Sequence, residues 1–231
     1  MTTIESILDK LTPECIESMK KIHFIADLHF CHPKIVNICN RPVPLIEGLD
    51  ISIPEQKVRI NELHTDWLIR EVYNKYIGKR DDVYILGDVS MASRIETEKI
   101  IDKLNGNKYL ILGNHDKNLV HSTRFSQITQ KKNFVFSQYG LNIHIVLDHE
   151  PIASWERKIH DSFHLYGHVH GKFKSLSPEI KKFMGLSWDV GIDNKENYIG
   201  FDNQEHNNWC KPTNLYEVIQ IIAWKSKILN A

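Results

Sequence analysis

The chain has only four cysteines in 231 residues, Cys15, Cys31, Cys39 and Cys210, and no C-x-x-C pair. That spacing excludes a zinc ribbon or a disulfide scaffold and points to reduced, mostly structural thiols. An excess of charge of one sign is also missing, since 29 Lys+Arg balance 29 Asp+Glu. No global basic field is therefore expected to gather nucleic acid or an anionic membrane. No stretch approaches 18 apolar residues, and the N-terminal MTTIESILDKLTPECIESMKK mixes acids and lysines without an apolar h-region. These absences predict neither a membrane span nor a secretion signal, so a cytoplasmic protein is expected. Without repeats or low-complexity segments, the length predicts a single domain over 1–231 with a substantial core.

Brief apolar runs alternate with helical patterns. Runs rich in β-formers occur at 22–26, 83–86, 108–112, 134–137, 142–147 and 163–166, with a further strand expected around SWDVGI. Helical periodicity covers about 55–77 and 94–104, the second opened by a capping box of Ser93 and Glu96 and followed by Gly106. A closing helix is expected from Asn214, with Glu217 three residues on. The segment QYGL between the fourth and fifth runs predicts an antiparallel hairpin, and the earlier strand–helix–strand order predicts parallel crossovers. The expected fold is α/β, with a mixed sheet or two packed sheets, over a core of about 22–222. Ile4, Ile7, Leu8 and Leu11 predict one appended helix within 1–20, available for a dimer contact in a chain that is monomer or homodimer.

The residues that follow the apolar runs carry the chemistry. Asp27, His29 and His32 follow the first run, Asp88 the second, and Asn114, His115 and Asp116 the third. Asp148 and His149 follow the fifth, and His168 and His170 the sixth, in GHVHG. One Asp after a strand is ordinarily a cap or turn residue, but five such coincidences place side chains together in the crevice at strand carboxyl ends. Gly87, Gly113 and Gly167 allow close backbone approach there. Asp27, His29, Asp88, Asn114, His149, His168 and His170 exceed what one tetrahedral ion uses and suffice for two divalent metals sharing a carboxylate. Carboxylate, amide and imidazole without thiolate suit Mn, Fe or Zn, with Mn foremost.

The ordered series D-x-H, G-D, G-N-H-D, H and G-H-x-H over about 22–171 resembles the calcineurin-like metallophosphoesterase superfamily. CNRPVP at 39–44 and VGIDN near 190 resemble its small prokaryotic and phage members. The resemblance implies a two-sheet β-sandwich flanked by helices, with a dinuclear metal site at one end. It implies Asp27, His29, Asp88 and His170 on one metal and Asp88, Asn114, His149 and His168 on the other, with Asp88 bridging. It further implies a phosphoesterase acting through a hydroxide held between the metals, with His115 as general acid; Asp116 or another nearby carboxylate is able to orient that ring, and the sequence does not choose between them. His32 and Arg41 match substrate-contact positions, the guanidinium suiting a phosphate clamp. Trp155 is expected to pack rather than stack on a substrate, and the other histidines are expected to be structural or surface residues.

Departures from the family narrow the substrate. GDVSMASR replaces the longer GDxxDRG element of protein phosphatases, and Glu150 follows the ligand His149 where small members often carry an aromatic. Small phosphodiesters or monoesters, nucleotides and cyclic nucleotides among them, are the expected partners. A nuclease, for which no clear basic patch is visible, and a non-catalytic metal-binding or partner-binding protein are the alternatives. A metallo-β-lactamase site is disfavoured because GKFKS follows His170, and an amidohydrolase barrel needs a longer chain.

Overall fold

A computed structural model describes residues 4–44, 48, 50 and 52–229. The chain runs α1 (Ile4–Leu8), α2 (Pro13–Met19), β1 (Ile22–Ile25), α3 (Pro33–Ile38), α4 (Pro54–Trp67), β2 (Asp82–Leu86), α5 (Arg94–Ile101) and β3 (Asn107–Ile111). It continues with β4 (Gln127–Thr129), β5 (Lys131–Phe136), β6 (Ile143–Asp148), β7 (Phe163–Tyr166) and α6 (Pro178–Met184). The last elements are β8 (Ser187–Asp189), β9 (Asn197–Ile199), β10 (Glu205–Asn207), β11 (Thr213–Asn214) and α7 (Leu215–Leu229).

The expected single N-terminal helix is instead two short ones. Pro13, which has no N–H to continue α1, opens α2 at its first turn, and the Thr12 hydroxyl accepts from Cys15 N at 3.3 Å. Ile4 and Ile7 still bury against the core. The long helix is also modified: α4 passes into π-helical turns over Leu68–Tyr73, with Asn74 N donating to Ile69 O at 2.8 Å. Asn74 then ties this end to the turn before β3, donating to Lys103 O and accepting from Asn105 N, both at 2.9 Å. The capping box at Ser93 and Glu96 is present. Asn214 and Glu217 form a reciprocal pair at the start of α7, at 3.0 and 2.9 Å.

Two mixed sheets carry the fold, and a separate pair joins β9 and β10. The first has the order β11-β1-β2-β3-β4, parallel except where β11 meets β1, and the second has the order β5-β6-β7-β8, parallel except for the β5–β6 hairpin. Alternation along the strands sorts the core. Phe24, Tyr84, Leu86 and Ile111 join Ile143, Ile145, Leu147, Phe163 and Leu165 of the second sheet and the apolar face of α7 in one cluster. Ile25, Val83, Ile85 and Leu110 face the other way, onto Ile60, Leu68 and Val72 from the α4 region and Ile100 and Ile101 of α5. Each such side chain, fully buried, stabilises by about 1.5–3 kcal/mol. Beyond β8, Ala26 pairs with Gly191, Ala26 N donating to Val190 O and Ile192 N to Ala26 O, both at 3.2 Å. This bridge joins the two sheets at the carboxyl end of β1, beside Asp27. No helix among the described residues is long and apolar enough to cross a membrane.

Candidate metal centre

The turns that leave the strands share an unusual backbone. Asp27, His29, Asp88, His168 and His170 have φ of 60°, 51°, 55°, 71° and 50°, a left-handed region uncommon for residues with a Cβ. Such conformations cost about 1–3 kcal/mol each and persist where surrounding structure over-determines them. Here hydrogen bonds do so: Asp27 N donates to Gly87 O at 3.1 Å, and His29 N to Asp88 O at 2.9 Å. His168 N donates to both carboxylate oxygens of Asp27, at 3.0 and 2.9 Å, and His115 N to Asp88 Oδ1 at 3.0 Å. Gly87, at φ 82°, permits the crossing of three turns, since a Cβ there would overlap the His149 ring and lie 2.7 Å from Gly113 Cα.

Two groups of potential ligands result, Asp27 with His29 and His170, and Asp88 with His149 and His168, the ligand atoms of each lying within 4.8 Å of one another. Asp88 Oδ2 lies between them, 3.6 Å from His29 Nε2 and 3.5 Å from His149 Nε2. His149 Nδ1 lies 2.8 Å from Leu86 O, the geometry of a donor to that carbonyl, and its Nε2 has no backbone partner. That nitrogen lies 3.1 Å from Asn114 Oδ1 and 3.2 Å from His168 Nδ1. Ions with ligand bonds of about 2.0–2.2 Å bring neighbouring ligand atoms to about 3–3.6 Å, the spacing of His149 Nε2 from both of these atoms. His29 adds an independent sign, because both its ring nitrogens are buried without a hydrogen-bond partner. His170 Nδ1 lies 2.7 Å from Asp193 Oδ2, a carboxylate–histidine pair of the kind that orients a ligand imidazole, and the same residue groups with His29 and Asp27. The residues present therefore fit two divalent ions. Cys39 forms a further group with His170 and Asp193, but that carboxylate is already held by Arg41.

Electrostatics agree with this fit. Burial, and then the charge of Asp189, raise Asp27 well above the ordinary carboxylate range, and burial pushes Asp189 up to about 7. Crowded buried carboxylates are offset by bound cations. Burial, reinforced by His170, holds the His29 imidazole down to about 2, in the neutral form a ligand requires.

The structure brings the seven expected ligands together, and it relocates two other residues. Arg41 is buried and its donors are committed: Nε and Nη2 to Asp193 at 2.9 and 2.8 Å, Nη2 to Asp27 O at 2.7 Å, and Nη1 to Leu28 O at 2.8 Å and His64 Nε2 at 2.9 Å. It fastens the ligand turn from beneath and has no fork left to clamp phosphate. The Asp116 carboxylate, also buried, accepts from Asp88 N, Val89 N and Gly113 N at 2.8–2.9 Å. Instead of orienting the His115 ring, it pins the two ligand loops together. The His115 side chain is 40 % exposed, with Nε2 3.9 Å from Asp88 Oδ2, and His32 lies edge-on to His29 with ring centroids 5.6 Å apart. Trp155 is buried, donates to the Ser162 hydroxyl at 3.0 Å and packs on His164, away from the ligands. Asp189 and Asp193, absent from the expected site, support it from below. VGIDN was the signal for Asp193, but no local spacing couples it to Arg41, 152 positions away.

Clefts of about 560 and 500 Å³ flank the centre. Lys117 and Lys131 line the one beside Asn114 and His149, and Lys172, Lys174 and Lys195 the one beside His170.

No protein-family profile matches the chain. It is 28 % identical over 178 residues to an uncharacterized protein of Methanocaldococcus jannaschii, covering 75 % of this chain and 84 % of that one. It is 33 % identical over 102 residues to the gene 66 protein of Mycobacterium phage D29, covering 43 % and 42 %. The crystal structure of a protein of unknown function from Aquifex aeolicus superposes with a TM-score of 0.50 at 22 % identity, covering 85 % of this chain and 96 % of that one. That last likeness concerns the fold alone.

Proposed function

We propose that this chain is a dinuclear metal-dependent phosphoesterase of the calcineurin-like kind, its two sheets forming the sandwich of that superfamily, and that it hydrolyses small phosphodiesters or monoesters. The observation that carries the reading is the place of Asp88, whose Oδ2 lies within 3.6 Å of ligand nitrogens from both groups. A carboxylate shared between two ions is what a closely spaced pair needs to offset its mutual repulsion.

Asp27, His29, Asp88 and His170 would hold one ion, and Asp88, Asn114, His149 and His168 the other, with Mn, Fe or Zn fitting the donor set. The bound pair would supply Lewis-acid polarisation of a phosphoryl oxygen and an activated water near neutral pH. The chain itself keeps this arrangement rigid through Arg41, Asp193 and Asp116. His115, exposed and with its backbone fixed to Asp88, would give a proton to the leaving oxygen, a contribution of about 10²–10⁴ in rate. His32 stands beside His29, where it can contact a substrate oxygen. Clefts on both sides, one lined by Lys117 and Lys131 with Asp148 and Glu150 and the other by three lysines with Asp193, leave room for a group on either ester oxygen, which favours a small diester.

The test is a matched pair of variants assayed with bis-p-nitrophenyl phosphate and an alkyl phosphodiester in Mn²⁺. Asp88→Asn is expected to lose metal and turnover together, whereas His115→Ala keeps the metal and slows the alkyl ester far more than the aryl one. Metal binding without hydrolysis of any phosphoester would overturn the catalytic reading.

A further inference from the structure

Between α6, β8 and α7 lies a cavity of about 270 Å³ that shares no residue with the ligand set. This is close to the lower end of small-molecule pockets, about 300–1,000 Å³. Phe173, Leu176, Met184, Trp224 and Ile228 give it apolar walls. Its polar features gather at one end. Lys225 donates from Nζ to Ser187 O at 2.6 Å, and Ser187 itself is fully buried, its hydroxyl set beside the Tyr166 hydroxyl of the same wall. Lys181 and Glu196, also in the wall, pair with each other at 3.4 Å, and the ion pairs among the described residues include none to Lys225. The carboxylate that acts on Lys225 is Glu196, which Lys181 already shares, so two ammonium groups divide one counter-charge and a second anion would lower the cost of burying Lys225. Burial accordingly pushes the Lys225 amine down to about 8.

We propose that this cavity is a binding site for a small apolar monocarboxylate, its chain or ring packed against Trp224, Leu176 and Met184 and its carboxylate paired with Lys225 and the Ser187 hydroxyl. Two lysines against one glutamate in the wall favour an anionic head over a cationic one. The shape and polarity match a ligand with one charged end and one apolar body. The site does not depend on the phosphoesterase reading. Tyr166 and Phe173 of its wall do bracket the segment that carries His168 and His170.

The experiment is calorimetric titration of the full-length protein with octanoate and with 1-octanol, which shares the chain and lacks the charge. Octanoate is expected to bind one to one and about tenfold or more tighter than octanol, the worth of a charge-assisted hydrogen bond away from water. Lys225→Met should abolish that preference while octanol binding remains. Leu176→Trp, which fills the cavity from an exposed turn, should abolish binding of both and serves if Lys225→Met fails to fold. Equal binding of the two probes by wild type, no binding of octanoate, or wild-type octanoate affinity in Leu176→Trp would overturn the proposal.

Discussion

His164 shows how firmly a single ring can be specified in this fold. Its Nδ1 lies 3.1 Å from Val146 O, and its Nε2 accepts from Ile152 N at 3.2 Å, so both nitrogens are used only when the ring is neutral. Burial holds its pKa down to about 4, against the hydrogen bond to Val146, and burial likewise holds His64 down to about 3. A depressed folded pKa means that the stabilisation is complete above the unfolded value near 6.5 and is lost as pH falls toward 4. Urea unfolding across that window should show stability falling with acid, and His164→Gln, which can keep one donor and one acceptor, should flatten the slope. A second prediction concerns Arg41 and Asp193. Removing either charge alone leaves the other buried without its opposite charge, Asp193 keeping His170 and Arg41 its carbonyl and His64 contacts. Arg41→Met or Asp193→Asn should therefore each cost about 3–5 kcal/mol, and the double variant less than their sum. Purely additive losses in that cycle would contradict the pairing. The residues proposed as metal ligands were legible as a group because each directly follows an apolar run, often beside glycine. The support beneath them was not, because Arg41 and Asp193 meet only through tertiary folding. Asp116 misled for a related reason: it neighbours His115 in sequence, but the turn sends its carboxylate inward to three backbone amides.

At the scale of elements, the strand ends and the turns after them behave as one device. Gly87→Ala would force a Cβ toward the His149 ring and the Gly113 backbone at a positive φ, so it should lower both stability and metal affinity, read together by thermal unfolding with and without Mn²⁺. Ser93→Ala is the contrasting case. It removes only the cap of α5 and should cost about 1 kcal/mol without changing metal binding or turnover. Apolar periodicity and capping pairs foretold β1, β2, β3, β6, β7, α5 and α7, since burial alternation and reciprocal caps are local properties. The short strands β9, β10 and β11 escaped because two or three paired residues make no periodic signal. The break between α1 and α2 was written in Pro13, and the π-helical turns after α4 answer to Asn74 and its bonds to a distant turn.

For the whole molecule, the two sheets share one apolar cluster, and their ligand-bearing turns meet at the Ala26–Gly191 bridge. An ion pair bound there would tie both sheets together, so metal and stability should be linked: adding EDTA should lower the unfolding temperature of wild type and leave that of Asp88→Asn nearly unchanged. The composition-level expectations, neutral charge and no long apolar segment, agree with the absence of a membrane-length helix among the described residues, but they say nothing of substrate. The most direct test of a dinuclear phosphoesterase is the rate of bis-p-nitrophenyl phosphate hydrolysis by metal-free protein titrated with Mn²⁺. The rate should rise to a plateau at two equivalents and vanish with EDTA; no hydrolysis at any loading, or a rate indifferent to added metal, would contradict it.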